Sequence, residues 1–344
     1  MYNVYKRLKA WLPLLKLGNT VSRRNELEDY SKYLVLENIK NAKILDFLQT
    51  PRSKDELILE FGWEYPSKYV NDFLKVLIDD RVILKYKDKL VMNSGIKIEK
   101  PNVKFIEDFN EVFEIYATGI PNRLKGEYFD YTGRLALFNW DSALAGQIYQ
   151  ALRDSAWNFI NTRKLNGDQL LDIGCGPGYE TADFWVRLKE KKANITALDY
   201  DADLLTIAQE EFCQNIHKIG YIDTTWDQLE NPPTFIHGSA DNMDMFEDNT
   251  FDTVYFSNFL HWLEAPIKGI REMYRVLKPG GLIFGSQGTT EVTNPYLDIT
   301  ARVVKGTFGY FSKKQFVEWF KEIGFVKIKS ATMVNSFKAR KPNN

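Results

Sequence analysis

The sequence predicts an α/β protein in two parts, a parallel sheet wound with helices preceded by a mainly helical half. Three observations carry this. Residues 170–178 read Leu-Leu-Asp-Ile-Gly-Cys-Gly-Pro-Gly, the end of an apolar run followed by a glycine turn, and a helical segment runs on from about Tyr179 to Lys191. A second apolar run, Asn194-Ile-Thr-Ala-Leu-Asp199, ends on an acid. Residues 30–95 differ in texture, with apolar residues at helical spacing and then two short β-like runs.

Strand, glycine turn, helix and strand in succession imply a Rossmann-like sheet, with a ligand at the carboxyl end of the first strand. Gly174, Gly176 and Gly178 allow a tight turn and leave bare backbone for that ligand. The spacing argues against a dinucleotide, because the third glycine of G-x-G-x-x-G would fall on Tyr179. A phosphate loop of the G-x-x-x-x-G-K-[ST] type is absent. Asp172, just ahead of the first glycine, would repel an anion and attract a cation. S-adenosylmethionine (SAM) carries an ammonium and a sulfonium and no phosphate. Asp199 can accept from both hydroxyls of a ribose.

Asp172-Ile-Gly-Cys-Gly-Pro-Gly178 resembles the first motif of class I SAM-dependent methyltransferases, and further landmarks follow in order. Gly238-Ser-Ala-Asp241 with Met245-Phe246 resembles the adenine-binding stretch. Phe251-Asp-Thr-Val-Tyr-Phe-Ser-Asn258 resembles the fourth strand, and Tyr274-Arg-Val-Leu-Lys-Pro-Gly-Gly281 the turn into the fifth. The resemblance implies a seven-stranded Rossmann-like domain over 165–344 with its last strand antiparallel, and SAM as cofactor. It also implies roles. Gly174, Gly176 and Gly178 approach the methionine and ribose, and Asp172 orients the ammonium directly or through water. Asp199 takes the ribose hydroxyls, Tyr200 flanks the adenine, Asp241 accepts from its exocyclic amine, and Asn258 brings a backbone carbonyl to the ammonium.

Methyl transfer from a sulfonium is an in-line displacement, so alignment and exclusion of water matter most. A hydroxyl acceptor gains from a base, and imidazole titrates in the right range. His261, in Asn258-Phe-Leu-His-Trp-Leu-Glu264 just past the fourth strand, is the candidate. The segment is similar to Leu-His-Asp-Trp-Ser-Asp of small-molecule O-methyltransferases, whose His is the general base. Here Trp262 stands where that family has Asp, and packing beneath the acceptor is the other reading of His261. His217 and His237 read as structural. The loop after Gly285, with Gln287, Thr289, Tyr296, Arg302, Phe308 and Tyr310, is long enough to shape an acceptor pocket, and Tyr296 and Arg302 are its candidate substrate contacts.

The first half divides into an arm (1–29), a small domain (30–98) and a connector (99–164). Ser53-Lys-Asp-Glu56 reads as a capping box opening a helix that ends at Gly62, and Tyr69 to Asp79 as a further helix. Val82–Tyr86 and Lys89–Met92 then flank Lys87-Asp88 as a hairpin. With a first helix through Tyr33, Leu36, Ile39, Ile44, Leu45 and Leu48, ending near Thr50-Pro51, three helices and a hairpin make a winged helix. Its last helix mixes Lys68 and Lys75 with Asp72 and Asp79, which suits phosphate contacts poorly, so no nucleic-acid partner is expected. The arrangement resembles the dimerisation module of the O-methyltransferases and implies a homodimer. The connector is rich in aromatics. Most belong to a core, while Phe138, Trp140 and Tyr149 are candidates for an aromatic roof over a flat acceptor.

The chain has 344 residues with a formal charge of −1, enough for two domains and no general attraction to nucleic acid. Its cysteines, Cys175 and Cys213, make neither a disulfide framework nor a metal site. The basic N-terminus lacks the apolar run of a secretory signal. It reads as an arm packed on this chain or a partner subunit, or as a membrane-surface helix. With no stretch long enough to span a bilayer, cytoplasmic residence is expected. These readings converge on a SAM-dependent methyltransferase acting on a small aromatic or polyketide-like hydroxyl. The alternatives are transfer to carbon or nitrogen, or a SAM-binding regulator without transferase activity.

Overall fold

The computed structural model describes residues 12–13, 15–16, 20–104, 107–129, 143–160, 165, 169–220, 222–331 and 335–343. It divides into two compact units, Met1–Thr20 with Thr132–Val292 and Tyr310–Asn344, and Val21–Tyr131 with Thr293–Gly309.

In the second of these, a helix spans Thr20–Asn41, and Lys43, in left-handed backbone (φ 64°), separates it from a short turn at Ile44–Phe47. Then come β1 (Arg52–Ser53), helices Lys54–Phe61 and Lys68–Asp79, and the hairpin of β2 (Ile83–Tyr86) and β3 (Lys89–Met92). The capping box at Ser53 is formed. The Glu56 N–H donates to Ser53 Oγ at 3.1 Å, and the Ser53 N–H to Glu56 Oε2 at 2.7 Å. Arg52 and Ser53 pair with Leu90 and Lys89, making a three-stranded antiparallel sheet in the order β1-β3-β2. The sequence reading has the hairpin but not β1, because two residues are too few to show an alternation.

Residues 293–309 join this unit, whereas the sequence reading keeps 165–344 together. The helix Pro295–Ala301 packs against helices Lys68–Asp79 and Glu107–Thr118, with Ile299, Val303 and Val304 buried. Ion pairs fix it. Arg302 meets Asp72 at 2.8 Å and Asp298 at 3.0 Å, and the Tyr296 hydroxyl donates to Asp80 at 2.6 Å. Apolar burial and charge pairing together outweigh closeness in sequence.

The other unit is built on β4 (Gln169–Ile173), β5 (Asn194–Asp199), β6 (Thr234–His237), β7 (Phe251–Ser257), β8 (Leu277–Ser286), β9 (Val326–Ala331) and β10 (Ser336–Arg340). They form one sheet in the order β6-β5-β4-β7-β8-β10-β9, parallel from β6 to β8, with β10 antiparallel to both neighbours. This is the predicted seven-stranded sheet. Helices Tyr179–Leu188, Ala202–Glu210, Phe212–Lys218 and Pro266–Val276 lie in the crossovers, and Lys313–Ile323 precedes β9.

Side chains alternate across the sheet, and both faces are apolar, as expected of buried parallel strands. Leu171, Ile173, Val254, Phe256 and Ile283 cluster with Ile270, Met273, Phe316 and Phe320. Leu170, Tyr255, Leu282 and Phe284 cluster with Trp157, Phe184, Trp185 and Phe212. By the same alternation Asp172 belongs to the layer of Leu170. That places a carboxyl at the end of a buried strand, where β4 borders both β5 and β7 and the strand order reverses.

Candidate active site

Three glycines turn the chain at the carboxyl end of β4. Gly174, Gly176 and Gly178 all have positive φ (68°, 51° and 86°). The N–H groups of Gly174 and Cys175 donate to Leu198 O at 2.8 and 3.1 Å, which ties the turn to β5. A Cβ at Gly174 would lie 2.9 Å from the Phe259 ring, whereas one at Gly176 would meet nothing within 4 Å. The backbone at Gly176 is therefore open to a ligand. Burial pushes the Cys175 thiol well above its ordinary range, leaving it unreactive.

Carboxyl groups surround this turn. Asp172, 1% exposed, accepts from the Thr181 hydroxyl at 2.6 Å. Burial raises its pKa well above the usual carboxylate range, the Thr181 hydrogen bond opposing and the charges of Glu180 and Asp199 adding. Glu180 is buried and also raised by burial, against the lowering effect of Arg153, whose Nη1 lies 3.9 Å away. Arg153, from the helix Gln147–Phe159, donates to Leu144 O at 2.9 Å and to Gln150 Oε1 at 3.1 Å. Asp199 is half-buried at the end of β5. Its Oδ2 accepts from Gly176 N at 2.7 Å and its Oδ1 from Asp201 N at 2.9 Å; burial raises its pKa while these N–H groups oppose.

Three carboxyl groups thus lie around an open backbone turn, with Arg153 beside Glu180. Such a site disfavours phosphate and suits a ligand bearing positive charge, and the ammonium and sulfonium of SAM fit it. Among the described residues no group of His, Cys, Asp or Glu is arranged to hold a metal ion, and no helix is long and apolar enough to cross a membrane.

The other predicted donor residues occupy the neighbouring strand ends. Tyr200 is 77% exposed, and its carbonyl lies 2.9 Å from His237 Nε2, so His237 serves the backbone here. Asp241 is exposed and accepts from Ser239 Oγ at 2.5 Å. Asn258, in left-handed backbone (φ 46°), donates its N–H to Ser286 O at 2.9 Å and accepts from Gly288 N at 2.8 Å through Oδ1. Its side chain locks the ends of β7 and β8 together. His217 is exposed beside Asp223.

His261 lies in the turn Leu260–Trp262 directly after β7. Gln287 Oε1 holds that turn by accepting from Leu260 N at 3.1 Å. The imidazole is 7% exposed and stacks on Tyr310, with ring centroids 4.7 Å apart and planes at 24°. Its Nδ1 is enclosed without a hydrogen-bond partner. Burial pushes the pKa down to about 3, well below the near-neutral value the sequence reading gives it. His261 is a dry, neutral imidazole with a polar nitrogen to spare.

Phe138 and Trp140 lie outside the described residues, and Tyr149 is half-buried on the helix Gln147–Phe159. Tyr296 and Arg302 belong to the unit that lacks the glycine turn, with their polar atoms engaged by Asp80, Asp72 and Asp298. The sequence reading omits Glu180, Thr181 and Arg153 from the site, and names Gln287 only as part of the loop after Gly285. Glu180 and Thr181 follow the last glycine so closely that the first turn of the next helix must carry them back to Asp172. Arg153 leaves no such local sign.

Residues 171–285 match the family model described as a methyltransferase domain. A demethylmenaquinone methyltransferase of Staphylococcus epidermidis is 28% identical over 185 residues, covering 52% of this chain and 68% of that protein. One from Listeria monocytogenes is 29% identical over 195 residues, covering 53% and 72%. Among solved structures, the CurJ carbon methyltransferase superposes with a TM-score of 0.71 at 14% identity, covering 99% of both chains. The DszA carbon methyltransferase gives 0.69 at 14% identity, over 98% of this chain and 94% of that one. These two likenesses concern the fold. Domain match and curated relatives agree with a glycine turn ringed by carboxyl groups: the protein is an enzyme of the SAM-dependent methyltransferase class, and SAM is its cofactor.

Proposed function

We propose that the enzyme methylates a carbon adjacent to a hydroxyl in a small phenolic or enolisable acceptor, with His261 taking the hydroxyl proton. The observation that carries this is the enclosed, unpartnered Nδ1 of a neutral imidazole at the carboxyl end of β7. A buried nitrogen left unsatisfied costs about 1–3 kcal/mol, and an acceptor hydroxyl that displaces the side chains enclosing it and donates to it recovers that cost. The names of two solved structures that share the fold, the CurJ and DszA carbon methyltransferases, support carbon over oxygen.

SAM, when bound, supplies a sulfonium methyl with a neutral thioether as leaving group. Asp172, Glu180 and Asp199 hold the donor's positive end, and Asp199 holds the ribose. The hydroxyl proton would pass to Nδ1 and the freed electron pair would delocalise onto the neighbouring carbon, which would take the methyl as its bond to the donor sulfur breaks; that carbon's own hydrogen would then leave to solvent as a proton, restoring the hydroxyl form. Burial that makes imidazolium costly in the free enzyme is offset when the acceptor's negative charge develops beside it. Transfer to the hydroxyl oxygen, the first expectation, uses the same base and differs in which atom the pocket aligns.

The helical unit is read as a winged helix acting as a dimerisation module. Its support is the element order helix, strand, two helices and hairpin, with Asp72 and Asp79 on the last helix.

The test is His261→Ala. With carbon-13 methyl-labelled SAM and phenolic or 1,3-dicarbonyl probes, turnover should fall about 10²–10⁴-fold, the range for a lost general base, while SAM binds as before. Turnover within threefold of wild type would remove His261 from the chemistry.

A further inference from the structure

We propose that Tyr310 is a positioning residue for His261, fixing the plane of the imidazole and keeping it out of water. The proposal rests on the reading of His261 as the base. The geometry is that of an offset stack, with centroids 4.7 Å apart and planes at 24°, close to the preferred approach of aromatic rings. Trp262 is a looser neighbour, 5.7 Å away, tilted by 42° and 39% exposed. Tyr310 is therefore the ring best placed to set the imidazole's plane.

Its own position is fixed by the two residues that follow it. Phe311 O accepts from Thr290 N at 3.1 Å, and Ser312 caps the helix Lys313–Ile323 by accepting from Gln315 N at 3.1 Å. Gln287 holds the other partner by its grip on Leu260 N. The stack is thus closed between two anchored segments of chain.

Burial accounts for the low pKa of His261. The charged groups nearby, Glu264 on its own segment, Lys268, Arg271 and Glu272 on the helix Pro266–Val276, and Glu291 and Lys313 beside Tyr310, do not enter it. Removing the ring that covers the imidazole lets water in, and the pKa then climbs from about 3 toward the ordinary 6.5. A base with that pKa is protonated and idle at mildly acidic pH.

The experiment compares wild type, Tyr310→Ala, Tyr310→Leu and Tyr310→Phe. His261 is followed by NMR titration and turnover is measured from pH 5 to 8, with SAM binding as the check on folding. Tyr310→Ala should shift the His261 titration upward and create an acid limb in turnover, about tenfold between pH 8 and pH 5.5. Tyr310→Phe should restore wild-type behaviour, and Tyr310→Leu, which keeps bulk without the stack, should fall between. An unmoved His261 titration in both Tyr310→Ala and Tyr310→Leu would overturn the proposal, as would a Tyr310→Phe variant as impaired as Tyr310→Ala. Loss of turnover in His261→Ala alongside an unaffected Tyr310→Ala would defeat this proposal alone. Full turnover in His261→Ala would defeat the base reading and this proposal with it.

Discussion

Asp199→Ala separates a ligand-binding acid from an acid that merely ends a strand. In the structure the two carboxylate oxygens of Asp199 accept from Gly176 N at 2.7 Å and Asp201 N at 2.9 Å, so the group is held rigidly at the mouth of the glycine turn. A ribose diol placed there donates two hydrogen bonds to a charged acceptor, each of which contributes roughly 1.5–3 kcal/mol. Taking the lower figure for both, since water partly replaces them, the loss is about 3 kcal/mol, or roughly 150-fold in the dissociation constant. Asp199→Asn keeps one acceptor oxygen and should lose about tenfold, half that free energy. The assay is isothermal titration with SAM, S-adenosylhomocysteine and adenosine, with circular dichroism to show that each variant folds. Adenosine has the ribose but neither ammonium nor sulfonium, so it should weaken by the same factor as SAM. Both variants binding SAM within threefold of wild type would show that Asp199 only ends a strand. A loss for SAM without one for adenosine would mean that the carboxylate answers the donor's charge and not its ribose.

Two further outcomes follow from the same geometry. Asp172, Glu180 and Asp199 all hold protons more tightly than ordinary carboxyl groups because burial disfavours their charged forms. A cation bound beside them favours ionisation, so SAM binding should release protons and tighten as pH rises through the region above the usual carboxylate range. Titrations in buffers of differing ionisation enthalpy measure this, and proton uptake would contradict it. Gly285→Ala places a Cβ 1.8 Å from the carbonyl oxygen of Phe256 on the paired strand, a clash with backbone that no rotamer relieves. Destabilisation of at least about 3 kcal/mol is expected, the upper part of the usual overpacking range. A thermal midpoint within 2 °C of wild type would show that the β7–β8 pairing yields more readily than the register suggests.

Much of the sheet is legible in the sequence because its strands are short, apolar and punctuated. Leu170 to Gly178 shows strand and turn together, and Asp199 marks the end of the next strand at the same edge of the sheet. The capping box at Ser53 is legible for the same reason, since both its partners lie within one helical turn. What the sequence hides is long-range. Nothing around Arg302 announces that it pairs with Asp72 and draws residues 293–309 into the helical unit. Nothing around Tyr310 announces His261. The imidazole's pKa is hidden too, because burial depends on which distant segment covers the ring and not on the residues beside it in the chain. The residues proposed for the donor end are therefore marked by local motifs, whereas those proposed for the acceptor end depend on side chains that only the fold brings together.

The most direct measurement is the destination of the methyl group. Enzyme, carbon-13 methyl-labelled SAM and a phenolic or 1,3-dicarbonyl probe are incubated and the product is examined by NMR. The expected result is a methyl bonded to carbon next to the hydroxyl-bearing position, formed by wild type and lost in His261→Ala. A methyl found on oxygen or nitrogen, or one formed equally well without the imidazole, would contradict it.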